Sequence, residues 1–408
     1  MAATQTGPTW SELLGSNNWE GLLDPLDLDL RRLILRSGDL IQATYDAFNN
    51  DQNSKYCGSS RYGKSSFFQK VMLENASDYK VLFFLYGTAR VSVPQAFLLH
   101  SLSRECWDRE SNWIGYIAVT SDEVSRASGR REIFVVWRGT TTSYEWINVF
   151  GAAPASAEVL LSSETIKEIS SSDDDDDEMP KVMNGWLTIY TSDNQNSPFT
   201  KTSARTQVLK KVNELLKLYK DENPSVVVLG HSLGASLSIV SAFDLVENGV
   251  KNVPVTAIVL GSPQVGNKAF NERLKKFSNM KVLHIRNVID LITRYPGGLL
   301  GYVDTAGTEL KIDTRKSPSL KESKNPGDWH NLQAMLHVVA GWNGAKEEFE
   351  MKVKRSVALV NKSCEFLKEE YLVPGSWWVE KNKSMVRRDD GEWVLASPDE
   401  EDLPAPEE

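Results

Sequence analysis

Residues 226–240 read VVVLGHSLGASLSIV, and this stretch decides the fold class. Val226–Leu229 is a short apolar run typical of a buried strand, whereas the small and apolar residues from Gly234 onward are typical of a buried helix. Ser232 stands at the turn between the two patterns. Side chains at Gly230 and Gly234 would collide with the neighbouring strand and helix. The pattern therefore predicts a nucleophilic serine in a strained, exposed turn at the end of a strand.

A second motif in the chain, Gly58-Ser-Ser-Arg-Tyr-Gly63-Lys64-Ser65, matches the phosphate-binding P-loop literally. A P-loop needs a buried strand before it and a helix that begins at its lysine. Residues 49–57, NNDQNSKYC, cannot form such a strand because most of them are polar. We therefore interpret residues 58–65 as a surface turn and expect no nucleotide site there.

Further strand and helix patterns surround the serine and extend the predicted sheet. The strand-like runs are Trp113–Thr120, Glu132–Trp137, Val226–Leu229, Val255–Leu260 and Lys281–Asn287. A polar turn is expected between the first two runs, and helical patterns at Leu233–Glu247 and Lys268–Phe277 separate the last three. This alternation predicts an α/β fold with a central, mostly parallel sheet.

The rest of the chain is predicted to pack around that core. We divide it into a mainly helical N-terminal region at 1–110, a core at 111–350, a C-terminal helix and β-hairpin at 351–396, and a disordered acidic tail at 397–408. Within the core, residues 162–181 include a run of serines and aspartates and are expected to form a solvated, disordered loop. The run lacks the alternating ligands and the turning glycine of a calcium loop.

A serine hydroxyl is a weak nucleophile, so Ser232 needs a histidine base. The chain has only five histidines. Those that we set aside precede the serine, adjoin it or lie within a predicted strand: His100, His231 and His284. His330 and His337 remain open. We favour His330 because it lies in a turn-rich loop, whereas His337 lies two turns into a helical pattern.

An acidic residue is expected between the serine and the histidine, in the chain order of the α/β-hydrolase fold that the elbow around Ser232 indicates. Asp290 follows the strand-like run Lys281–Asn287 within three residues, which brings it to the same sheet edge as the serine. Asp304, Asp313 and Asp328 are the alternatives. We favour Asp290 as the residue that holds the histidine tautomer and stabilises the imidazolium.

The composition is that of an ordinary globular protein without a basic surface. The 408 residues are 41% hydrophobic and 25% charged, with a formal net charge of −9. No electrostatic field would attract nucleic acid, so no nucleic-acid partner is expected. The three cysteines form no CxxC pair. The sequence therefore indicates neither a disulfide framework nor a zinc site, and we expect no metal and no cofactor.

Targeting and membrane-spanning segments have recognisable sequence patterns. The first thirty residues contain no lysine or arginine, whereas secretory signals begin with basic residues and transit peptides are rich in arginine. No stretch approaches the run of about eighteen apolar residues that a membrane span needs. We therefore expect a cytoplasmic protein.

With Ser232, Asp290 and His330 in this order, the core resembles the class 3 lipases, the family of fungal triacylglycerol lipases. This resemblance is carried by Trp137-Arg-Gly-Thr140 with Trp146 after it, and by Gly261-Ser-Pro-Gln-Val-Gly-Asn267. Nearly the whole chain is similar to the plant phospholipase A1 branch, in particular to its cytosolic class II enzymes. The segments that carry this closer similarity are Ser54–Gly63, Arg294–Gly301 and Asp328–Gln333.

The resemblance implies an enzyme that hydrolyses the sn-1 acyl ester of glycerophospholipids through an acyl-enzyme. It implies that Ser232 is the nucleophile, Asp290 the orienting acid and His330 the base. Its partners would be phospholipid or another glycerolipid, together with transient contact with a membrane or lipid surface. Two alternatives stay open: an acylhydrolase acting mainly on galactolipid, monoacylglycerol or neutral lipid, and a non-catalytic lipase-like interaction protein.

The resemblance also implies an oxyanion hole and a lid. The backbone N–H groups of Thr140 and Leu233 would bind the oxyanion, and Leu233 is also expected from its place directly after the nucleophile. The lid is expected near residues 146–161. Because the chain is acidic, binding to a lipid surface is expected to depend on apolar lid residues and to respond little to salt.

Overall fold

The computed structural model describes residues 7–89, 98–140, 152–171, 178–378, 385–387, 389–390, 393–395 and 399–407. The α-helices are α1 (Trp10–Leu13), α2 (Leu28–Ala47), α3 (Phe67–Lys70), α4 (Asp122–Ser128), α5 (Ser163–Ser170), α6 (Asn184–Thr191), α7 (Ala204–Leu218), α8 (Leu233–Glu247), α9 (Lys268–Lys275), α10 (Pro326–Trp329) and α11 (Leu332–Gly341). The strands are β1 (Tyr79–Gly87), β2 (Asn112–Thr120), β3 (Arg131–Trp137), β4 (Pro154–Ser156), β5 (Lys181–Met183), β6 (Pro224–His231), β7 (Val255–Leu260), β8 (Met280–Asn287), β9 (Thr308–Ile312), β10 (Met385–Arg387) and β11 (Trp393–Leu395).

A seven-stranded sheet forms the centre of the molecule, in the order β1-β2-β3-β6-β7-β8-β9. The strands from β3 to β9 in this order pair in parallel, whereas β1 and β2 join as antiparallel neighbours at one edge. The predicted α/β class with a mostly parallel sheet is confirmed. The link between β2 and β3 contains the helix α4 and is not the polar turn that the sequence predicted. The carboxyl ends of the parallel strands meet at one edge, where ligands commonly bind.

Helices cover both faces of this sheet. Buried residues of α6, α7, α8 and α9 form one apolar cluster with one face. Buried residues of α2, α3 and α11 form a second cluster with the other face. The helix α2 is twenty residues long and packs beside α11, with most of its residues buried. The N-terminal region is therefore part of the core on the second face of the sheet.

Two segments differ from their sequence predictions, and a third is only partly described. Residues 1–110 were predicted to be mainly helical, but they also supply the edge strand β1, whose aromatic run was not recognised as a strand. The helix predicted from Val353 to Leu367 is wrong, because only Val357–Lys362 forms a short 3-10 helix there. The predicted hairpin corresponds to the antiparallel pair β10 and β11, although Gly391 of its turn lies outside the described residues.

The acidic tail was predicted to be disordered, yet residues 399–407 dock on the N-terminal region. The backbone N–H of Gly63 donates to Asp402 Oδ1 at 2.5 Å, and Lys70 Nζ lies 2.5 Å from Asp402 Oδ2. Glu407 pairs with Lys64 at 2.7 Å and accepts a hydrogen bond from the backbone N–H of Phe84 in β1. Composition suggested a solvated tail, but cations and unpaired N–H groups at the sheet edge provide partners for its carboxylates.

The predicted acidic loop and lid are partly ordered. Residues 163–170 of the loop form α5, whose first turn is capped by Ser162, and residues 172–177 lie outside the described residues. Of the predicted lid, residues 146–151 lie outside as well, including Trp146. Residues 152–161 contain β4, and the side chains of Ala157, Leu160 and Leu161 are buried in the core. This half of the predicted lid is therefore a packed part of the fold.

No helix within the described residues combines the length and the apolar character that a bilayer crossing requires.

Candidate active site

Ser232 lies at the turn from β6 to α8 with φ 59° and ψ −127°. Positive φ is rare for a residue with a side chain and stores backbone strain. A Cβ at Gly230 would lie 2.1 Å from the carbonyl oxygen of Gly234, and a Cβ at Gly234 would lie 2.5 Å from that of Trp137. The two glycines are therefore required by sterics, as the sequence predicted. This strand–elbow–helix unit on a parallel sheet is that of the α/β-hydrolase fold.

Asp290 and His330 meet in the protein interior. His330 Nδ1 lies 2.5 Å from Asp290 Oδ2, and the two residues are 5% and 1% exposed. The other carboxylate oxygen accepts a hydrogen bond from the backbone N–H of Ile292 at 2.9 Å, which fixes the carboxylate. Because a carboxylate accepts, the neutral imidazole carries its proton on Nδ1, and Nε2 is the basic nitrogen.

Gly261 provides the space in which the His330 ring lies. It follows β7 with φ +58°, and a Cβ there would come within 2.9 Å of His330 Cε1 and 3.4 Å of Asp290 Oδ2. Any side chain at this position would therefore push the imidazole away from its carboxylate.

His231 supports the backbone of His330 from below the elbow. Its Nε2 lies 2.8 Å from the carbonyl oxygen of His330, and its Nδ1 lies 2.8 Å from the hydroxyl of Tyr45 in α2. The rings of His231 and His330 are 4.6 Å apart. Burial lowers the pKa of His231 well below its ordinary value, and the nearby His330 lowers it further. At neutral pH His231 is therefore an uncharged hydrogen-bonding residue.

A cavity of about 1190 Å³ lies above the elbow, and Ser232, His330 and Thr140 all line it. Its other walls come from α2, from residues 48–53 and from residues 362–378, in addition to the loop that carries His330. The cavity exceeds the range of about 300–1,000 Å³ that is typical of small-molecule sites. The structure therefore places the candidate nucleophile and base on the wall of one large cavity.

The two residues predicted to form an oxyanion hole lie at the start of α8 and just beyond the end of β3. Leu233 is the first residue of α8, so its backbone N–H is one of the groups at the helix N-terminus that have no partner within the helix. Thr140 follows Arg138 and Gly139 beyond the end of β3. Arg138 is buried, stacks 3.7 Å from the ring of Phe48 and donates to the carbonyl oxygen of Trp113. These contacts anchor the segment that leads to Thr140.

The other histidines have different partners. Ser262 donates its backbone N–H to His284 Nε2 at 3.0 Å, and burial lowers the pKa of this histidine to about 4. His337 Nε2 lies 2.7 Å from Ser317 Oγ, and burial together with Arg355 lowers its pKa to about 4. His100 lies on the surface. Of the two open candidates for the base, the structure brings His330 and not His337 to Asp290 and to the cavity.

The alternative acids lie elsewhere. Asp304 is 3.5 Å from Arg286, Asp313 is 2.7 Å from Arg315, and Asp328 accepts a hydrogen bond from Ser323. The carboxylate beside the imidazole of His330 is that of Asp290, whereas Asp328 meets His330 through its backbone carbonyl oxygen, which accepts from the His330 backbone N–H.

The P-loop look-alike has no phosphate-loop geometry. No strand precedes Gly58 among the described residues 49–57, and the helix that follows, α3, has only four residues. The backbone N–H of Gly63 is taken by Asp402 of the tail. Within the described chain, no group of three or more His, Cys, Asp or Glu side chains could hold a metal ion.

Two supporting residues were not identified from the sequence. Tyr45 lies in the N-terminal region that was predicted only to be mainly helical, and Gly261 was assigned only to a family signature. A signal for Tyr45 exists in hindsight, since a tyrosine on a helix face that packs against the core needs a hydrogen-bond partner for its hydroxyl. Neither residue could be connected to His330 without the fold.

Comparison with known proteins finds relatives of this chain among lipases and phospholipases. Residues 134–299 match the family model described as Lipase (class 3). Phospholipase A1-IIdelta of Arabidopsis thaliana is 64% identical over 413 residues, which cover 99% of this chain and 100% of that protein. Phospholipase A1-II 5 of Oryza sativa subsp. japonica is 50% identical, with 97% of this chain and 84% of that protein covered. Lip2 lipase from Yarrowia lipolytica is 18% identical, covers 74% of this chain and 84% of its own, and gives a TM-score of 0.46.

Proposed function

This chain belongs to the class 3 lipase family, with full-length relatives named phospholipase A1-II, and we propose on that basis that it hydrolyses the sn-1 acyl ester of glycerophospholipids. The observation that carries the proposal is the arrangement around the cavity. A strained Ser232 and a histidine oriented by a buried carboxylate line one space large enough for a lipid. The names of the relatives supply the substrate class, and the site supplies the chemistry.

In the proposed reaction His330 acts as the general base toward Ser232. As Ser232 Oγ attacks the ester carbonyl carbon, Nε2 of His330 takes its proton and the carbonyl oxygen becomes an oxyanion. When the tetrahedral intermediate collapses, the bond to the glycerol oxygen breaks and the imidazolium returns the proton to that oxygen. Asp290 holds the proton on Nδ1 and stabilises the imidazolium while it exists.

We propose Thr140 and Leu233 as the donors to the oxyanion. The Leu233 N–H follows the nucleophile directly at the start of α8, and Thr140 lies on the cavity wall at the end of a segment anchored by Arg138. Backbone donors that are fixed before the reaction stabilise developing charge without reorganisation. After the lysophospholipid leaves, water attacks the acyl carbonyl carbon and loses a proton to His330. When this second intermediate collapses, the imidazolium returns the proton to Ser232 Oγ and the fatty acid is released.

Two further parts of the proposal concern where the reaction takes place. We propose transient contact with a phospholipid surface, since long-chain phospholipids aggregate in water. We also propose a cytoplasmic setting, which is supported by the three cysteines Cys57, Cys106 and Cys364, all of which are free thiols.

Product analysis on a mixed-chain phospholipid tests the proposal. The substrate carries different acyl chains at sn-1 and sn-2, and mass spectrometry identifies the released fatty acid and the lysophospholipid. We expect the sn-1 acid and the 2-acyl lysophospholipid to appear first, and a folded Ser232→Ala variant to release neither. Release of the sn-2 acid, or much faster cleavage of a galactolipid, monoacylglycerol or triacylglycerol in the same panel, would replace the proposed substrate by the one cleaved.

A further inference from the structure

A group of exposed leucines follows Asp290 directly. We call residues Leu291–Val303 the leucine turn. Its exposed large apolar side chains are Leu291 at 57%, Leu299 at 104%, Leu300 at 46% and Val303 at 37%. Fourteen large apolar side chains are exposed in the described residues, and four of them lie in these thirteen residues. Single exposed apolar residues are ordinary, whereas a concentration of them marks an interaction surface.

The leucine turn holds these side chains outward on an anchored backbone. Ile292 and Tyr302 are buried at its two ends. In between, the backbone N–H of Gln264 donates to the carbonyl oxygen of Tyr295, and the N–H of Gly297 donates to the side-chain oxygen of Gln264. Gly297 and Gly301 have positive φ and bracket the short 3-10 helix Gly298–Leu300 that carries the exposed leucines. The leucine side chains are therefore held in solvent by a well-anchored turn.

The charges of the leucine turn fit a phospholipid surface. The segment contains one cation, Arg294, which is exposed, and no carboxylate, although the whole chain has a net charge of −9. A surface that buries leucines and places an arginine beside them matches apolar acyl chains below a layer of phosphate groups. An acidic protein partner would meet only one cation here.

The leucine turn also lies at the edge where the reaction is proposed to occur. Leu291 is the residue after Asp290, whose carboxylate holds His330. At the other end of the turn, the hydroxyl of Tyr302 donates to the carbonyl oxygen of Ala152 at 2.7 Å, in the segment predicted as the lid. In the described part of that segment, 152–161, Val159 is the exposed large apolar residue, while Ala157, Leu160 and Leu161 are buried.

We propose that the leucine turn is the surface by which this protein binds a phospholipid bilayer or micelle, with Leu299 and Leu300 in the acyl-chain zone. The inference rests on the proposed function and specifies how that site meets its substrate. It differs from the sequence-based expectation, which assigned surface binding to the lid. Binding through the turn holds the segment that directly follows Asp290, at the carboxyl edge of the sheet, against the lipid.

A vesicle-binding assay on matched variants tests this proposal. The double variant carries Leu299→Ser and Leu300→Ser. Its control is Leu218→Ser, which removes a leucine that is 68% exposed at the end of α7. Binding to phosphatidylcholine vesicles is measured by co-sedimentation in a Ser232→Ala background, so that no product accumulates. We expect the double variant to bind at least tenfold more weakly, Leu218→Ser to bind normally, and high salt to have little effect on the parent protein.

Activity on a monomeric substrate separates this proposal from the proposed function. With Ser232 restored, the double variant should hydrolyse a short-chain phosphatidylcholine below its micelle concentration at the normal rate and vesicles slowly. Normal vesicle binding by the double variant, an equal loss in Leu218→Ser, or loss of binding in high salt would overturn the leucine turn as the lipid-binding surface. Absence of hydrolysis of the monomeric substrate by the unmodified protein would instead contradict the proposed function.

Discussion

His231 Nε2 donates a hydrogen bond of 2.8 Å to the backbone carbonyl oxygen of His330. A carbonyl oxygen can only accept, so His231 carries its proton on Nε2 and its Nδ1 accepts from the hydroxyl of Tyr45. Two hydrogen bonds thus connect the N-terminal helix α2 to the backbone of the proposed base. Because this contact acts on the backbone, we infer that His231 positions His330 without taking part in proton transfer.

Substitutions of His231 test this positioning role. His231→Leu removes the Nε2–H donor and leaves the carbonyl oxygen of His330 buried without that hydrogen bond. The loss destabilises the folded site by about 1–3 kcal/mol. We expect kcat to fall about tenfold on a monomeric ester, with KM little changed. His231→Gln can still present an N–H at the Nε2 position and should recover most of the rate. A rise in KM without a fall in kcat, or a glutamine variant as slow as the leucine variant, would refute the positioning role.

Gly261 offers a steric test with an internal control. Gly261→Ala adds a Cβ within 2.9 Å of His330 Cε1, whereas Gly129→Ala adds one at a similar φ of +67° with nothing within 4 Å. Both substitutions strain the backbone by a similar amount, but only the first displaces the imidazole. We expect a loss of kcat of at least about 100-fold for Gly261→Ala and a normal kcat for Gly129→Ala. Equal activities of the two variants would contradict the position of His330.

Three buried histidines predict how stability depends on pH. Burial holds the pKa of His231 well below its ordinary value and lowers the pKa of His284 and of His337 to about 4. The unfolded chain therefore binds more protons, so the stability these histidines provide above pH 6.5 is lost as the pH falls. His284 and His337 each lower the free energy of unfolding by up to about 1.4 kcal/mol per pH unit between about 6.5 and 4, and His231 acts in the same direction.

Urea unfolding at pH 7.5, 6 and 5 measures this dependence. His337→Gln removes one of the three titrating groups. The free energy of unfolding of this variant should therefore depend less steeply on pH, by the contribution of one histidine. A parent protein that becomes more stable as the pH falls to 5, or a variant with an unchanged slope, would show that the buried histidines are not the cause.

The docked tail predicts a stability effect far from the cavity. Asp402 accepts from Gly63 N–H and pairs with Lys70, and its side chain is 6% exposed. Asp402→Asn removes the charge from a buried pair, so the free energy of unfolding should fall by about 1–3 kcal/mol. Glu400→Gln, a change at an exposed neighbour, should stay within about 0.5 kcal/mol. Equal stability of both variants would mean that the tail is not docked in solution.

The local patterns around the elbow predicted the fold class well. The strand β6, the helix α8 and the need for Gly230 and Gly234 could be read from fifteen residues, because the periodicity and the steric demand are both local. Asp290 and His330 were favoured from chain order and loop position, and the structure brings them within 2.5 Å of each other.

Contacts between distant segments could not be predicted in the same way. The hydrogen bond between Tyr45 and His231 joins residues 186 positions apart, and the one between Gly63 and Asp402 of the tail joins residues 339 positions apart. The tail looked disordered because its composition is that of a solvated segment, and its partners become visible only when the sheet edge is formed. Residues 294–301 of the leucine turn were recognised only as part of a family signature. Their exposed leucines could not be predicted, because the exposure of a side chain depends on the fold.

Labelling with a serine-reactive lipid phosphonate tests the central claim most directly, since the claim is that Ser232 becomes acylated. The protein is treated with the phosphonate, digested, and the modified peptide is identified by mass spectrometry while hydrolysis of the phospholipid is followed in parallel. We predict one adduct, on Ser232, with loss of hydrolysis in proportion to labelling and no labelling of Ser232→Ala. An adduct on another residue, or hydrolysis that persists in the folded Ser232→Ala variant, would contradict the account.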